Sequence, residues 1–408
     1  MRTIIHLAGN VAPLLAGLLT APLTARALGP EARGELAIIM LVSVFIGLVG
    51  AFGLGPLARQ AVSEDIGQAA GWSRRGQRIT LASASGAAAV GFCTATLLGL
   101  AVEETIAAIA FFGIAGMSAS KSIDANILIV AGRTKQFGTA NLAAACTICG
   151  GIILAYGLGL LTLQFVISIN AASLVMQMLY ISYHRRKFVR GLVATELRKD
   201  TRRILIAKVW RAWKSQLIEA ALLRSDSALF IAQGTVALVG YYAVVALVPQ
   251  VSYQVYQTLI QHSYAKWPAL RLRRRTTLLW QLCMLLSLPI AALGAVGGTL
   301  LIPVVFGPAF EPAVSLLGPA CAMVVCLAGL APVLQHFAVS PTGDAWFPVA
   351  AFGLVVIAWF AGNNFGPAIS VLLLAVGFLI TGGGYVYLLS GNRMFRVSSS
   401  DLMRLFGR

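Results

Sequence analysis

The feature that most constrains this chain is the length of its charge-free runs. No Asp, Glu, Lys or Arg falls within residues 3–25, 36–58, 79–102, 136–184, 276–310, 312–343 or 345–392. About 20 apolar residues cross a bilayer core as a helix, whereas a membrane strand needs about 10 and alternates in polarity. These runs do not alternate, so they are read as helices. Charged residues make up 11% of the chain and hydrophobic ones 58%, against about 25% charged in soluble domains. Too few charges remain to coat a water-facing surface, which excludes a soluble enzyme.

The runs divide into twelve spans, near 3–24, 36–58, 79–101, 105–123, 138–157, 162–183, 213–234, 237–261, 278–302, 313–338, 346–361 and 368–389. With the N-terminus inside, all but three of the 31 Lys and Arg fall in cytoplasmic segments, the exceptions being Arg26, Arg33 and Arg224. That asymmetry is the positive-inside pattern. It places the chain in the cytoplasmic (inner) membrane as a multi-pass protein with both termini in the cytoplasm. The net charge of +17 then needs only anionic lipids beside basic loops as partner, and no nucleic acid. Arg2 and the following apolar run mimic a secretory signal, but Asn10, Pro13 and eleven further spans favour a first membrane helix. The six cysteines all lie within spans. Cys146-x-x-Cys149 has redox spacing without a βαβ context, so packing is the simpler role.

The expected fold class is an all-α polytopic membrane protein, with two six-helix lobes related by a pseudo-two-fold axis along the membrane normal. Residues 1–183 form the first lobe, 184–212 a basic amphipathic cytoplasmic linker, 213–390 the second lobe and 391–408 an amphipathic cytoplasmic tail. RRILIAKVWRAWKSQ (Arg202–Gln216) carries the linker's helical alternation. The lobes share a pattern. LGPEARGELAII (Leu28–Ile39) and QGTVALVGYYAVVALVPQ (Gln233–Gln250) each show a Gly, a short gap, a second Gly and an apolar helix. Parallel repeats of this kind are a common transporter plan.

Three segments carry a family resemblance. TARALGPEARGELAIIMLVSVFIGLVGAFGLGPLARQAVSE (Thr24–Glu64) resembles the opening hairpin of the polysaccharide and O-antigen-type flippases. These belong to the multidrug, oligosaccharidyl-lipid and polysaccharide exporter superfamily. LLRSDSALFI (Leu222–Ile231) with VGYYAVVALVPQ (Val239–Gln250) is similar to the family's seventh and eighth spans, and LIPVVFGPAFEPAVSLL (Leu301–Leu317) to its ninth-to-tenth turn. The resemblance implies a lipid-linked oligosaccharide substrate and polysaccharide polymerase or assembly proteins as partners. Lipid II flippases carry several Arg along their early spans. None lies deep in the first six here, which favours a generic polysaccharide flippase.

Ionisable groups within the bilayer are costly, about 2.5–3.5 kcal/mol each on insertion scales, and so mark candidate sites. The seventh span carries Glu219, Arg224 and Asp226. On a continuous helix Glu219 and Asp226 share a face, with Arg224 offset by roughly 140° at 3.6 residues per turn. They are expected either to wall a central cavity between the lobes or to form an internally neutralised cluster. Arg224 would hold a carrier's diphosphate bidentately, while Asp226 or Glu219 would neutralise the empty site or bind a coupling ion, H+ or Na+. No other cofactor is expected. Arg59 closes the second span and either snorkels to the interface or meets an anionic headgroup. Lys121 and Asp124 are i, i+3 neighbours able to pair. His6 and Asn10 share a face of the first span, where Asn10 either lines a cavity or bonds another helix. Gln250, Gln254, Gln257 and Gln261 recur at helical spacing and form either a sugar-facing wall or an interhelical seam.

No catalytic or metal-ligating set is found. His184, His262 and His336 lack ligand or triad spacing, and no Walker A motif occurs. The expected function is a non-enzymatic flippase for a polyprenyl-diphosphate-linked oligosaccharide, working by alternating access, with Gly29, Gly34, Gly240 and Gly307 as hinge or packing points. The rivals are a cation-coupled multidrug-type exporter of the same superfamily and a membrane-embedded polysaccharide polymerase or glycosyltransferase.

Overall fold

The computed structural model describes residues 2–51, 53–192, 210, 213, 217–218, 220–266, 272–339 and 346–390. The described residues are helical almost throughout and fall into two compact units, Met1–Ala220 and Ala221–Arg408. In the first unit the helices are α1 (Arg2–Ala51), α2 (Leu54–Glu64), α3 (Ala69–Leu98), α4 (Val102–Val130), α5 (Thr134–Gly157) and α6 (Leu163–Val189). In the second they are α7 (Ser225–Gln233), α8 (Val236–Val245), α9 (Leu247–Lys266), α10 (Leu272–Leu301), α11 (Leu317–Val339), α12 (Trp346–Phe365) and α13 (Pro367–Ser390).

Among the described residues seven helices are long and apolar enough to cross a membrane unaided, or eight if the pair α8–α9, bent by 42°, counts as one span. This is a multi-pass membrane protein. Two shorter apolar helices, Ala82–Leu98 and Val349–Phe365, stand beside these. The long α1 holds two legs, parted where Gly29 (φ 74°, ψ 177°) leaves helical geometry. Leu28-Gly29-Pro30 explains the break, since a residue before proline avoids the helical region and proline starts the next helix well. The equivalent point in the second unit is Gly234 (φ −105°, ψ 168°), after which the Thr235 hydroxyl accepts from the Leu238 amide at 3.3 Å. Both repeats therefore break at their first glycine. The second glycines, Gly34 and Gly240, are buried within helices. Gly307 (φ 96°) turns the chain between a short π-helical stretch, Ile302–Phe306, and a 3₁₀ stretch, Pro308–Leu316.

Three sequence expectations are corrected. The second span stops at Ala51, and Gly53 (φ 64°) starts the separate amphipathic α2, so Arg59 is an exposed residue of that short helix and does not close a span. The third and sixth helices run further than their apolar cores, from Ala69 and to Val189, so Arg74, Arg185 and Arg186 stand on helices and not in loops. The seventh span is interrupted at Arg224 (φ −120°, ψ 8°), which precedes α7. The Trp210 and Trp213 rings lie 5.3 Å apart. Most of the linker, 193–209, and the tail, 391–408, lie outside the described residues.

Packing in the first unit relies on small residues. α4 is its hub and contacts α1, α2, α3 and α6. A Cβ on Gly116 would stand 2.6 Å from the Ser83 carbonyl oxygen and 2.9 Å from the Ala84 Cα. Backbones approach this closely because lipid tails are as apolar as leucine, so contact and not hydrophobic transfer favours association. Gly116→Ala is expected to lower the stability of the detergent-solubilised protein by about 1–3 kcal/mol, the usual cost of overpacking. Gly113→Ala, whose Cβ would meet its nearest neighbour at 3.9 Å, serves as its matched control. Equal melting temperatures for the two would refute this packing. In the second unit α11 is the buried centre, with Met323, Val324, Ala328, Leu330, Ala331 and Val333 all inaccessible. α7 is tied to α12 and α13: the Gln233 Nε2 donates to the Trp359 carbonyl at 2.7 Å, and the Ser370 hydroxyl donates to Gln233 Oε1 at 3.0 Å. Gly362 lies against Gln233 and Ser370 with no room for a side chain.

Candidate functional site

Among the described residues each unit buries an ionisable cluster around an aspartate. In the second unit it forms around Asp226 on the first turn of α7, which is 5% exposed. The Tyr242 hydroxyl on α8 donates to Asp226 Oδ2 at 2.6 Å, and the Ser227 hydroxyl donates to Oδ1 at 3.3 Å. The Tyr242 ring stacks on Phe230 of α7 with centroids 3.9 Å apart. Stacking sets the ring and the ring sets the hydroxyl, so Asp226 is held by tyrosine. No direct ion pair joins it to Arg224. Arg224 is half-buried at the residue preceding α7, beside amides that begin a helix. Guanidinium and helix N-terminus both favour an anion there. The shared face expected of Glu219 and Asp226 assumed an unbroken helix. The non-helical angles of Arg224 interrupt that geometry, and Glu219 itself lies outside the described residues.

The glutamine row is divided by its surroundings. Gln250 and Gln257 are half-buried and Gln254 is exposed. Gln257 bonds the Tyr253 hydroxyl on its own helix, while the side chain of Gln261 lies outside the described residues. So do those of His6 and Asn10 on α1.

In the first unit Lys121 and Asp124 do not pair with each other, because their helix presents them to different neighbours. Lys121 donates to Gln177 Oε1 on α6 at 2.5 Å, and Gln177 Nε2 donates to Asn141 Oδ1 on α5 at 2.6 Å. Asp124 is 3% exposed and accepts from the hydroxyls of Ser73 and Ser182, each at 3.2 Å. Arg185 Nε stands 3.2 Å from Asp124 Oδ1. These two networks fasten α3, α4, α5 and α6. Sequence reading did not single out Tyr242, Gln177, Asn141 or Arg185. Asn141 and Gln177 were visible as amides inside the charge-free run 136–184, whereas Arg185 was hidden among juxtamembrane basic residues. The Cys146 and Cys149 thiols are free, and among the described residues no His, Cys, Asp and Glu group could hold a metal ion.

No family model and no curated protein sequence matches the chain. Solved structures do. The lipid II flippase MurJ, in an inward closed conformation, is similar at a TM-score of 0.63 over 99% of this chain and 91% of its own, with 12% identity. An inward-facing multidrug resistance MATE family transporter of the MOP superfamily is similar at 0.60 over 96% of this chain and 99% of its own, with 14% identity. A MATE transporter from Vibrio cholerae is similar at 0.59, over 96% and 95%, with 14% identity. At such identities the likeness establishes the fold: a two-lobed, all-α membrane architecture shared with these proteins over nearly the whole length.

Proposed function

We propose that this protein is a membrane transporter, and specifically a flippase that moves a polyprenyl-diphosphate-linked oligosaccharide from the inner to the outer leaflet for polysaccharide biosynthesis. It works by alternating access, the headgroup following a polar path through the protein while the prenyl tail stays in lipid. The observation that carries the reading is Arg224 at the interruption of the seventh span, directly before α7. A discontinuous membrane helix whose N-terminus faces an anionic substrate group is a recurrent transporter device, and guanidinium binds phosphate oxygens in a fork. The fold shared with a lipid II flippase over 99% of the chain supports it.

A second reading, cation-coupled export of small molecules, is favoured by Asp226. This is a buried carboxylate without an ion pair to Arg224, held instead by Tyr242, and a carboxylate so placed is suited to accept H+ or Na+. The shared fold with MATE transporters supports it equally. The lipid-linked sugars of a deletion strain, with and without plasmid add-back, separate the two. Under the flippase reading a complete oligosaccharide accumulates on its diphosphate carrier and clears on add-back. An unchanged profile with new drug sensitivity would transfer the assignment to the exporter. A truncated intermediate would instead indicate a missing enzymatic step.

A further inference from the structure

Beside the buried Asp124–Arg185 pair, the first unit contains a cavity of about 360 Å³ where the last turns of α6 meet the first turns of α3, lined by Ala70, Arg74, Arg185, Arg186, Val189 and Arg190. We propose that this cavity is a binding site for a phosphate-bearing group. Four guanidinium side chains share one cavity, which is within the roughly 300–1,000 Å³ typical of small-molecule sites. Helical spacing puts them there. Arg186 on α6 and Arg190 at its C-terminal cap are four apart, as are Arg185 and Val189, and Ala70 and Arg74 are four apart on α3. Arg185 is 7% exposed, and its Nε and Nη2 are both buried with no hydrogen-bond partner. Asp124 Oδ1 stands 3.2 Å from Nε as the ion-pair partner of the same guanidinium. The N-terminus of α3, whose second residue is Ala70, adds partial positive charge on the opposite wall.

Two ordinary causes of basic residues do not account for this. Helix C-terminal carbonyls attract cations, and juxtamembrane Arg binds anionic leaflets diffusely. Both are compatible with the exposed Arg74, Arg186 and Arg190, but neither leaves the buried N–H groups of Arg185 without a hydrogen-bond partner. Planar donors that converge on one cavity match the oxygens of a mono- or diphosphate, to which Arg bonds in pairs. The apolar Ala70 and Val189 would receive the carbon side of an ester. The shared chemistry is the phosphate group, whether on a lipid headgroup or on a soluble molecule, and the inference is independent of the transport reading.

The test is equilibrium binding and thermal unfolding of the purified full chain in detergent at physiological ionic strength. It is titrated separately with phosphatidic acid in micelles and with sodium pyrophosphate. The wild type is expected to bind at least one probe saturably. Arg74→Gln and Arg190→Gln, both at exposed positions, are expected to bind it roughly tenfold or more weakly, each having lost a charge-assisted bond. Lys135→Gln, exposed and outside the cavity, is expected to bind as the wild type does. Saturation by phosphatidic acid alone assigns a lipid headgroup, and saturation by pyrophosphate as well assigns a soluble phosphate. Absence of saturable binding by both probes, or equal binding by all variants, overturns the proposal.

Discussion

Arg224→Ala is expected to abolish transport while the protein still inserts and accumulates normally. The two halves of this result have separate physical causes. A guanidinium within a span costs about 2.5–3.5 kcal/mol on insertion scales, so its removal relieves a penalty and the membrane-inserted protein is not weakened. Arg224 also makes no ion pair with Asp226, which keeps its tyrosine and serine hydrogen bonds. A neighbour left unpaired would be the usual source of destabilisation, and among the described residues no side-chain hydrogen bond or ion pair to Arg224 is lost. The functional loss follows because alanine offers no donor to a diphosphate, and the helix N-terminus alone supplies a fraction of the charge. Arg224→Lys is expected to retain partial activity, since ammonium keeps the charge but not the planar fork. The measurement is export of the lipid-linked oligosaccharide in a complemented deletion strain, with membrane abundance read in parallel. Normal export by a normally abundant Arg224→Ala protein would remove Arg224 from the mechanism.

Asp124→Ala is expected to carry the largest stability loss, about 3–5 kcal/mol, the cost of stranding one partner of a buried ion pair. Asp124 is bonded from α3 by Ser73 and from α6 by Ser182 and Arg185, so one side chain on α4 holds two neighbouring helices. Its removal leaves a guanidinium that is 7% exposed with no counter-charge. The double change Asp124→Ala with Arg185→Leu is expected to recover most of the loss, because replacing both members of a buried pair is close to neutral. Denaturation of the single and double variants, read as a cycle, measures the coupling directly. Additive losses would show that Asp124 and Arg185 act independently.

How much of this was legible in the sequence differs from residue to residue. The breaks at Gly29 and Gly307 were readable, because Gly-Pro pairs (Gly29-Pro30, Gly307-Pro308) have local backbone preferences that any environment must respect. The break at Arg224 was not, since Leu-Leu-Arg-Ser-Asp-Ser contains no Pro or Gly and its residues are acceptable in a helix. Arg59 was misplaced for a related reason: Gly53 inside an apolar run looks like a packing glycine until its φ of 64° is seen. Asp226 was visible as a charge in a span, but its partner Tyr242 is an aromatic among aromatics, and nothing local marks it. Lys121 and Asp124 were read as a local pair. They instead bond α6 and α3, at separations of 56 residues for Lys121 and Gln177, 58 for Asp124 and Ser182 and 51 for Asp124 and Ser73.

Apolar run length and charge placement determined by themselves that this chain is helical, crosses a membrane many times and is built of two comparable halves. Those properties follow from transfer of each segment between water and hydrocarbon, which is a sum over its own residues. Position within the fold is different. The most apolar 18-residue stretches of Arg274–Phe306 and Pro308–His336 have mean hydropathies of 2.1 and 2.2, yet 11% of one and 67% of the other is buried inside the fold. Hydropathy cannot separate them, because lipid and protein interior are equally good solvents for an apolar side chain. Only the tertiary structure decided that α11 lies at the centre of the second unit and α10 at its periphery, and with that which polar groups found partners. In a bilayer those choices rest on close contact and hydrogen bonding, both properties of pairs of segments and not of any one of them.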